Sequence, residues 1–252
     1  MSAVAARPQG GGTAPCDERA VFTAVVYALT SGCAWRHLPP TFGTSPATAH
    51  RRFTVWTDAG LWRRPHRAVL DELGARGEVD WRTSAIVDAA SGRAKKGGSL
   101  TGPNPVDRGT KGSKLHVLSD AQGIPLAVAV SGANMHDSLA LEPLIRGIPA
   151  LRSRREPRRR RPVKLRADKA HFSAEHLARL RERGLVARIA RPRIESGERF
   201  GRHRWKIERS IAWPFGYRRL TVRYERKGPH FRAFLGLAAA QTCYKKLAKR
   251  AT

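Results

Sequence analysis

Acidic residues are the scarce component of this chain: 20 Asp+Glu stand against 48 Lys+Arg in 252 residues, a net charge of +28. So large an excess repels itself in the compact state and calls for a polyanion beside it. Cysteine is scarce too. Cys16, Cys33 and Cys243 are odd in number, widely spaced and in no metal-ligand pattern, which excludes a disulfide scaffold or zinc finger and fits reduced thiols inside a cell. There is no apolar run long enough to span a bilayer and no Lys-rich amphipathic anchor, so a membrane partner is not expected. The N-terminus has no charged-then-apolar signal pattern. No Ser-His-Asp or Cys-His set emerges, the Gly-rich stretches lack phosphate-loop form, and His136 and His171 have no partner at ligand spacing. Nucleic acid remains the polyanion of choice, because neutralising phosphates releases counterions whatever the sequence.

Taken in order, residues 1–16 are rich in Ala, Gly and Pro and read as a disordered lead-in. From Asp17, Val21, Val25, Ala28 and Leu29 recur on one helical face, closed by Gly32. A short piece, Ala34 to Leu38, ends at Pro39-Pro40. Thr44-Ser45-Pro46 caps a helix that turns Ala49, Phe53 and Trp56 inward and His50, Arg51 and Arg52 outward. A third helix is expected from Leu61 to Leu73, with Pro65 in its first turn. Residues 17–80 therefore predict a small all-α, helix-turn-helix-like DNA-binding domain with a basic outer edge.

The pattern then changes to strands. Ser84 to Ala90 is a short apolar run ending near Asp88, followed by a basic loop, Lys95-Lys96 to Pro103, expected to be mobile. Lys114–Asp120 and Pro125–Val130 read as a hairpin through a Gly-containing turn. A helix from Leu139 to Ile145 follows, with Asp137 expected as its cap. The linker from Arg152 to Arg161 carries Arg158, Arg159 and Arg160 among its seven arginines and a single acid, Glu156. On a DNA enzyme it would track phosphates. Then come the strand ending at Asp168, a helix from Ser173 to Gly184, a strand Leu185–Ala190, a helix holding Glu208 and an apolar helical tail from Phe231 to Leu247. Strands followed by helix–strand alternation give a mixed α/β sheet flanked by helices over residues 81–252.

In a chain so poor in acids, Asp88, Asp168 and Glu208 stand out, because each lies in an apolar stretch where an unpaired carboxylate is costly. If the two Asp strands are neighbours and the Glu208 helix crosses their ends, three carboxylates converge. Such oxygen-rich corners need a counter-ion and suit magnesium or manganese. Two such ions about 4 Å apart can activate a water or a 3′-hydroxyl and stabilise the leaving oxygen of a phosphodiester.

The segments CAWRHLPPTFGTSPATAHRRF, IVDAASGRAKKGG, TGPNPVDRG, GSKLHVLSD, SGANMHD, RADKAHF and GRHRWKIERSIAW, in that order from about Asp17 to Leu247, resemble bacterial insertion-sequence DDE transposases of the insertion sequence five group. The resemblance implies a ribonuclease-H-like catalytic domain with Asp88, Asp168 and Glu208 as metal ligands, and Mg2+ as cofactor with Mn2+ able to substitute. It also implies cleavage at transposon ends, transfer of the freed 3′-hydroxyl to target double-stranded DNA, a homo-oligomer on DNA, and a cytoplasmic, nucleoid-associated location. The interval of 40 residues from Asp168 to Glu208 leaves no room for a large β-rich insertion. Of the family's Tyr, Arg and Lys around the Glu, this chain keeps Arg204, which would steady phosphate or Glu208; Gly201 and Phe215 take the other two places, and His171 stands where a Tyr is usual. The alternative reading is a catalytically inactive, DNA-binding remnant; a third is a simple ribonuclease-H-type hydrolase that cuts without joining. The Glu208 helix is expected to run from near Arg202 past Trp213, with Pro214 inside it.

Overall fold

A computed structural model describes residues 16–80, 85–154, 158, 162, 164–167, 174–182, 184–189 and 212–249. The lead-in, Cys16 excepted, thus lies outside the described residues. Helix α1 (Glu18–Ser31) starts where the Asp17 carboxylate accepts the Arg19 N–H at 2.9 Å and stops at Gly32 in the left-handed conformation, φ 71°. Two 3-10 turns, Trp35–His37 and Pro40–Phe42, lead to α2 (Pro46–Asp58), capped by Ser45, whose Oγ accepts the Thr48 N–H at 3.1 Å. Helix α3 spans Arg63–Ala75, with Pro65 in its first turn as expected.

The sheet is built on β1 (Ala85–Ala94). Strand β3 (Lys111–Ser119) runs antiparallel to β1 and carries β4 (Pro125–Gly132) as the expected hairpin, while the two-residue β2 (Gly102–Pro103) pairs the start of β3. On its other side β1 pairs in parallel with β5 (Lys164–Ala167), and β5 with β6 (Val186–Ile189). Helices α4 (Ser138–Gly147) and α5 (Ala174–Glu182) fall in the connections. The chain closes with a 3-10 turn (Trp213–Gly216), a four-residue helix α6 (Arg218–Thr221), strand β7 (Val222–Arg223) pairing parallel to the end of β1, and α7 (Gly228–Lys249). This is the mixed sheet flanked by helices, preceded by a helical region, that the sequence predicts. No helix among the described residues is long and apolar enough to cross a membrane.

Alternation sorts the sheet's side chains onto two faces. Val87, Leu118 and Ala127 join α3, α4 and α5 in one apolar cluster. Leu115, Val128 and Val130 join Val21, Phe53, Trp62, Tyr217 and Phe234 in another, so the N-terminal helices are held against the sheet through α7. The β3–β4 turn is fixed by the buried Asp120 carboxylate, which accepts the Ile124 N–H at 2.8 Å, the Gln122 N–H at 3.0 Å and, from the chain entering β1, the Asp80 N–H at 3.0 Å. Burial outweighs those donors and pushes the carboxyl up to about 6. The cysteines Cys16, Cys33 and Cys243 are free thiols.

Two expectations fail for long-range reasons. The Lys95–Pro103 loop is not loose. Buried Arg223, on β7, donates to the carbonyls of Ser99 and Leu100 at 2.6 and 2.9 Å and to Ser113 Oγ at 2.6 Å, and the Ser99 N–H bonds the Arg226 carbonyl at 3.1 Å. Gly98, at φ 110°, lets that backbone pass; a Cβ there would sit 2.1 Å from the Arg226 oxygen. Asp137 occupies the N-cap position of α4 but makes no capping bond. Its carboxylate instead pairs with Lys114 Nζ at 2.9 Å, drawn there by a lysine that also donates to the Met135 carbonyl at 2.8 Å.

Arg219 and Glu225 form a buried ion pair at 2.7 Å, with side chains 5% and 4% exposed. The same guanidinium donates to the Cys33 carbonyl just beyond α1 and lies over the rings of Trp35 and Phe234. Arg219→Ala strands the Glu225 carboxylate in the core. The expected loss is about 3–5 kcal/mol in denaturant unfolding, with Glu225→Gln costing less because its amide oxygen still accepts from Arg219.

Candidate active site

Asp88 lies inside β1, not at its end, because β1 continues to Ala94 by bonding both β3 and β7. It is half-buried, faces Val117 across the antiparallel ladder, and its Oδ1 accepts the N–H of Ala89 at 2.8 Å. By alternation it shares the face of Leu115, Val128 and Val130, opposite that of Val87 and Leu118. On the parallel side the register pairs Ala85 with Leu165, Ile86 with Arg166 and Val87 with Ala167. Val87 and Ala167 are the residues immediately before Asp88 and Asp168. Asp168 itself, with Glu208, Arg204, Arg159 and Arg160, lies outside the described residues. Among the described residues no group of three or more His, Cys, Asp or Glu could hold a metal ion, and Asp88 is the one triad acid among them. Lys114 registers with Ser91, two residues from Ala89 on the opposite face, so its partner Asp137 does not join Asp88.

The basic residues fall into two groups. Lys95 and Lys96 are exposed on the turn after β1, and the Lys95 N–H bonds the Arg223 carbonyl at 3.0 Å. His50 and Arg51 are exposed on α2, with Arg52 half-buried. The His50 ring lies 5.8 Å from that of His230, at the start of α7, so α2 and the 95–98 turn border the same β7–α7 connection. Exposed Arg226 and Lys227 in that connection extend the basic edge; their only sequence signal is an Arg-Lys pair just before an apolar tail, which nothing local sets apart from the chain's many other basic pairs. Although its residue surface is largely exposed, the His50 ring is partly desolvated against the β7–α7 connection, and this, then the positive charges of Arg219 and Lys227, holds it below its ordinary value. Arg158 is elsewhere. It donates to both Asp71 oxygens at 2.9 and 3.0 Å and to the Ala150 carbonyl, which ties the linker to α3.

Pro214 is buried in the first two positions of the Trp213–Gly216 3-10 turn, where the missing N–H breaks no bond. The expected helix does not run past Trp213, where the chain forms the 3-10 turn; its expected stretch over residues 202–211 lies outside the described residues.

Strand β1, with an acid inside it, thus carries the antiparallel β3–β4 hairpin on one side and parallel β5 and β6 on the other, the arrangement expected of a ribonuclease-H-like domain. Residues 57–243 match the family model "Transposase DDE domain", and residues 1–66 match "Putative transposase of IS4/5 family". The chain is 43% identical over 147 residues to the "Putative transposase for insertion sequence element IS402" of Burkholderia cepacia, covering 58% of this chain and 70% of that one. It is 36% identical over 100 residues to the "Insertion element IS402 uncharacterized 16.2 kDa protein" of the same organism, covering 39% and 67%. A solved "Mos1 transposase paired-end complex with left transposon end" aligns over 97% of this chain and 82% of its own at 12% identity and a TM-score of 0.28, a likeness on which nothing here rests. The chain belongs to the DDE transposase family, in its IS4/5 group. It is a transposase, of the class of enzymes that act as nucleases and strand transferases.

Because Pro214 stops the helix in place, Pro214→Leu should lower stability by about 0.5–1 kcal/mol through the freer unfolded chain. Thermal melting should read this as a fall of about 1–4 °C; a rise would mean that the proline strains the turn.

Proposed function

We propose that Asp88, Asp168 and Glu208 together hold divalent metal, Mg2+ with Mn2+ able to replace it, and that this chain cuts the phosphodiester at its element's ends and joins the freed 3′-hydroxyl to target duplex. The observation that carries this is the parallel register of β1 and β5, which pairs Val87 with Ala167, each one residue short of an acid. Asp88 fits the role: it is a hard oxygen donor, half-buried, with one carboxylate oxygen anchored by the Ala89 N–H. The bound metal would supply Lewis-acid polarisation of the phosphoryl oxygens and a more acidic nucleophile. The chain's own residues do the rest. Arg204 steadies the phosphate or Glu208, and the apolar strand around Asp88 limits water at the reacting bond.

Residues 17–80 form the end-binding part, with Arg51, Arg52 and His50 along α2. Lys95, Lys96, Arg158, Arg159 and Arg160 hold the DNA backbone, Arg158 while pairing with Asp71. Simultaneous work on two ends implies a homo-oligomer on DNA, in the cytoplasm at the nucleoid.

Asp88→Asn, Asp168→Asn and Glu208→Gln should each reduce metal-dependent cleavage at least about 100-fold, the scale of removing one charge-stabilising group from a site. Gel-shift affinity for an end-bearing duplex should hold, since each change removes a ligand and little volume. Parental cleavage by any variant takes its residue out of the site, and wild-type binding without metal-dependent cleavage favours a binding remnant. Replacing Arg51 and Arg52 with Ala should weaken binding to the ends more than to random duplex and reduce the salt slope by about two. Equal losses on both duplexes would assign these arginines to a general basic surface.

A further inference from the structure

A cavity of about 270 Å³ opens between the Trp213–Gly216 turn and the last turns of α7, lined by Trp213, Tyr217, Thr242, Lys245, Lys246 and Lys249. The Trp213 and Tyr217 rings stand nearly perpendicular, 84° apart, with centroids 6.5 Å from one another. Lys245 Nζ lies 5.3 Å over the Tyr217 ring, and Tyr217 Oη and Thr242 Oγ1 are 3.4 Å apart. Lys246 Nζ donates to the Gln122 carbonyl, which fixes one wall. The described lining includes no carboxylate. Trp213 Nε1 is buried and has no hydrogen-bond partner among the described residues, an omission that a ligand acceptor would repair. Trp213 and Tyr217 pack in the apolar cluster of Leu115, Val128 and Val130, on the same side of the sheet as Asp88.

The volume lies just below the roughly 300–1,000 Å³ of pockets for drug-sized ligands, so the cavity suits one planar ring and its attachments, not a duplex. Aromatic faces beside several ammonium groups are the combination that binds an unpaired strand, with bases stacking and phosphates paired to cations. We propose that this cavity receives one unpaired nucleotide of a DNA strand. The base stacks on the Trp213 face, a sugar or phosphate oxygen of the same nucleotide accepts the in-plane Trp213 N–H, and the adjoining phosphate meets Lys245, whose ammonium lies over the nearly buried Tyr217 ring. The proposal rests on the DNA-handling function given above and places on Asp88's side of the sheet a holder for a strand displaced from its complement.

The test titrates the full chain, without metal, with a labelled oligothymidylate of about twelve nucleotides and with a duplex of the same length. Trp213→Ala and Lys245→Ala should each weaken oligothymidylate binding about tenfold while duplex affinity changes less than about twofold. Lys245 is exposed, so its variant reports even where Trp213→Ala unfolds. Equal losses on both probes overturn the proposal by making Lys245 part of a general basic surface. Intact duplex binding with unchanged oligothymidylate affinity in Lys245→Ala overturns the cavity's role alone, and a wild-type chain that binds neither probe overturns the proposed function with it.

Discussion

The structure depends on the register of β1. That strand is hydrogen-bonded to β3 on one side, to β5 and β7 on the other, and those partners come from segments 17 to more than 120 residues later in the chain. A slip of one residue would send Asp88 to the face of Val87 and Leu118, into an apolar cluster where an ionised carboxylate is untenable. The apolar alternation that stabilises the sheet is thus the same constraint that presents the acid. Fold and site cannot be varied independently at this strand.

A second dependence links the N-terminal helices to the sheet. Phe53 stacks on Phe234 with centroids 4.6 Å apart, which seats α2 on α7, and Arg219 of α6, paired with Glu225, holds the Cys33 carbonyl at the end of α1. The basic edge of α2 and the 95–98 turn then meet at the β7–α7 connection, with Arg223 holding the turn. DNA gripped there would be fixed relative to β1, which is what cutting at a defined bond requires.

Local chemistry was legible in the sequence. Asp17 and Gly32 bound α1, Ser45-Pro46 opens α2, and the hairpin turn at Asp120 is closed by the nearby Gln122 and Ile124 N–H groups, with only the Asp80 N–H coming from farther off. The features that escaped depend on distant partners. The length of β1 past Ala90 needs β7, the order of the Lys95–Pro103 loop needs Arg223, and the failure of Asp137 to cap α4 needs Lys114. Pro214 misled because a proline in an apolar helical pattern looks the same whether it interrupts a helix or ends one. For the site, the scarcity of acids made Asp88 conspicuous, and the ladder from Ala85 to Val87 supports its pairing with the Asp168 strand. Arg219, Arg223 and Glu225 were invisible in an arginine-rich tail, where nothing local separates a buried guanidinium from a solvated one.

The central claim, that Asp88 holds metal in concert with Asp168 and Glu208, is tested most directly by a crystal structure of the chain with Mn2+ and anomalous scattering. The account predicts a manganese peak in contact with the carboxylates of Asp88, Asp168 and Glu208. A well-ordered site with no manganese touching Asp88, or with the ion held by other residues, would contradict it.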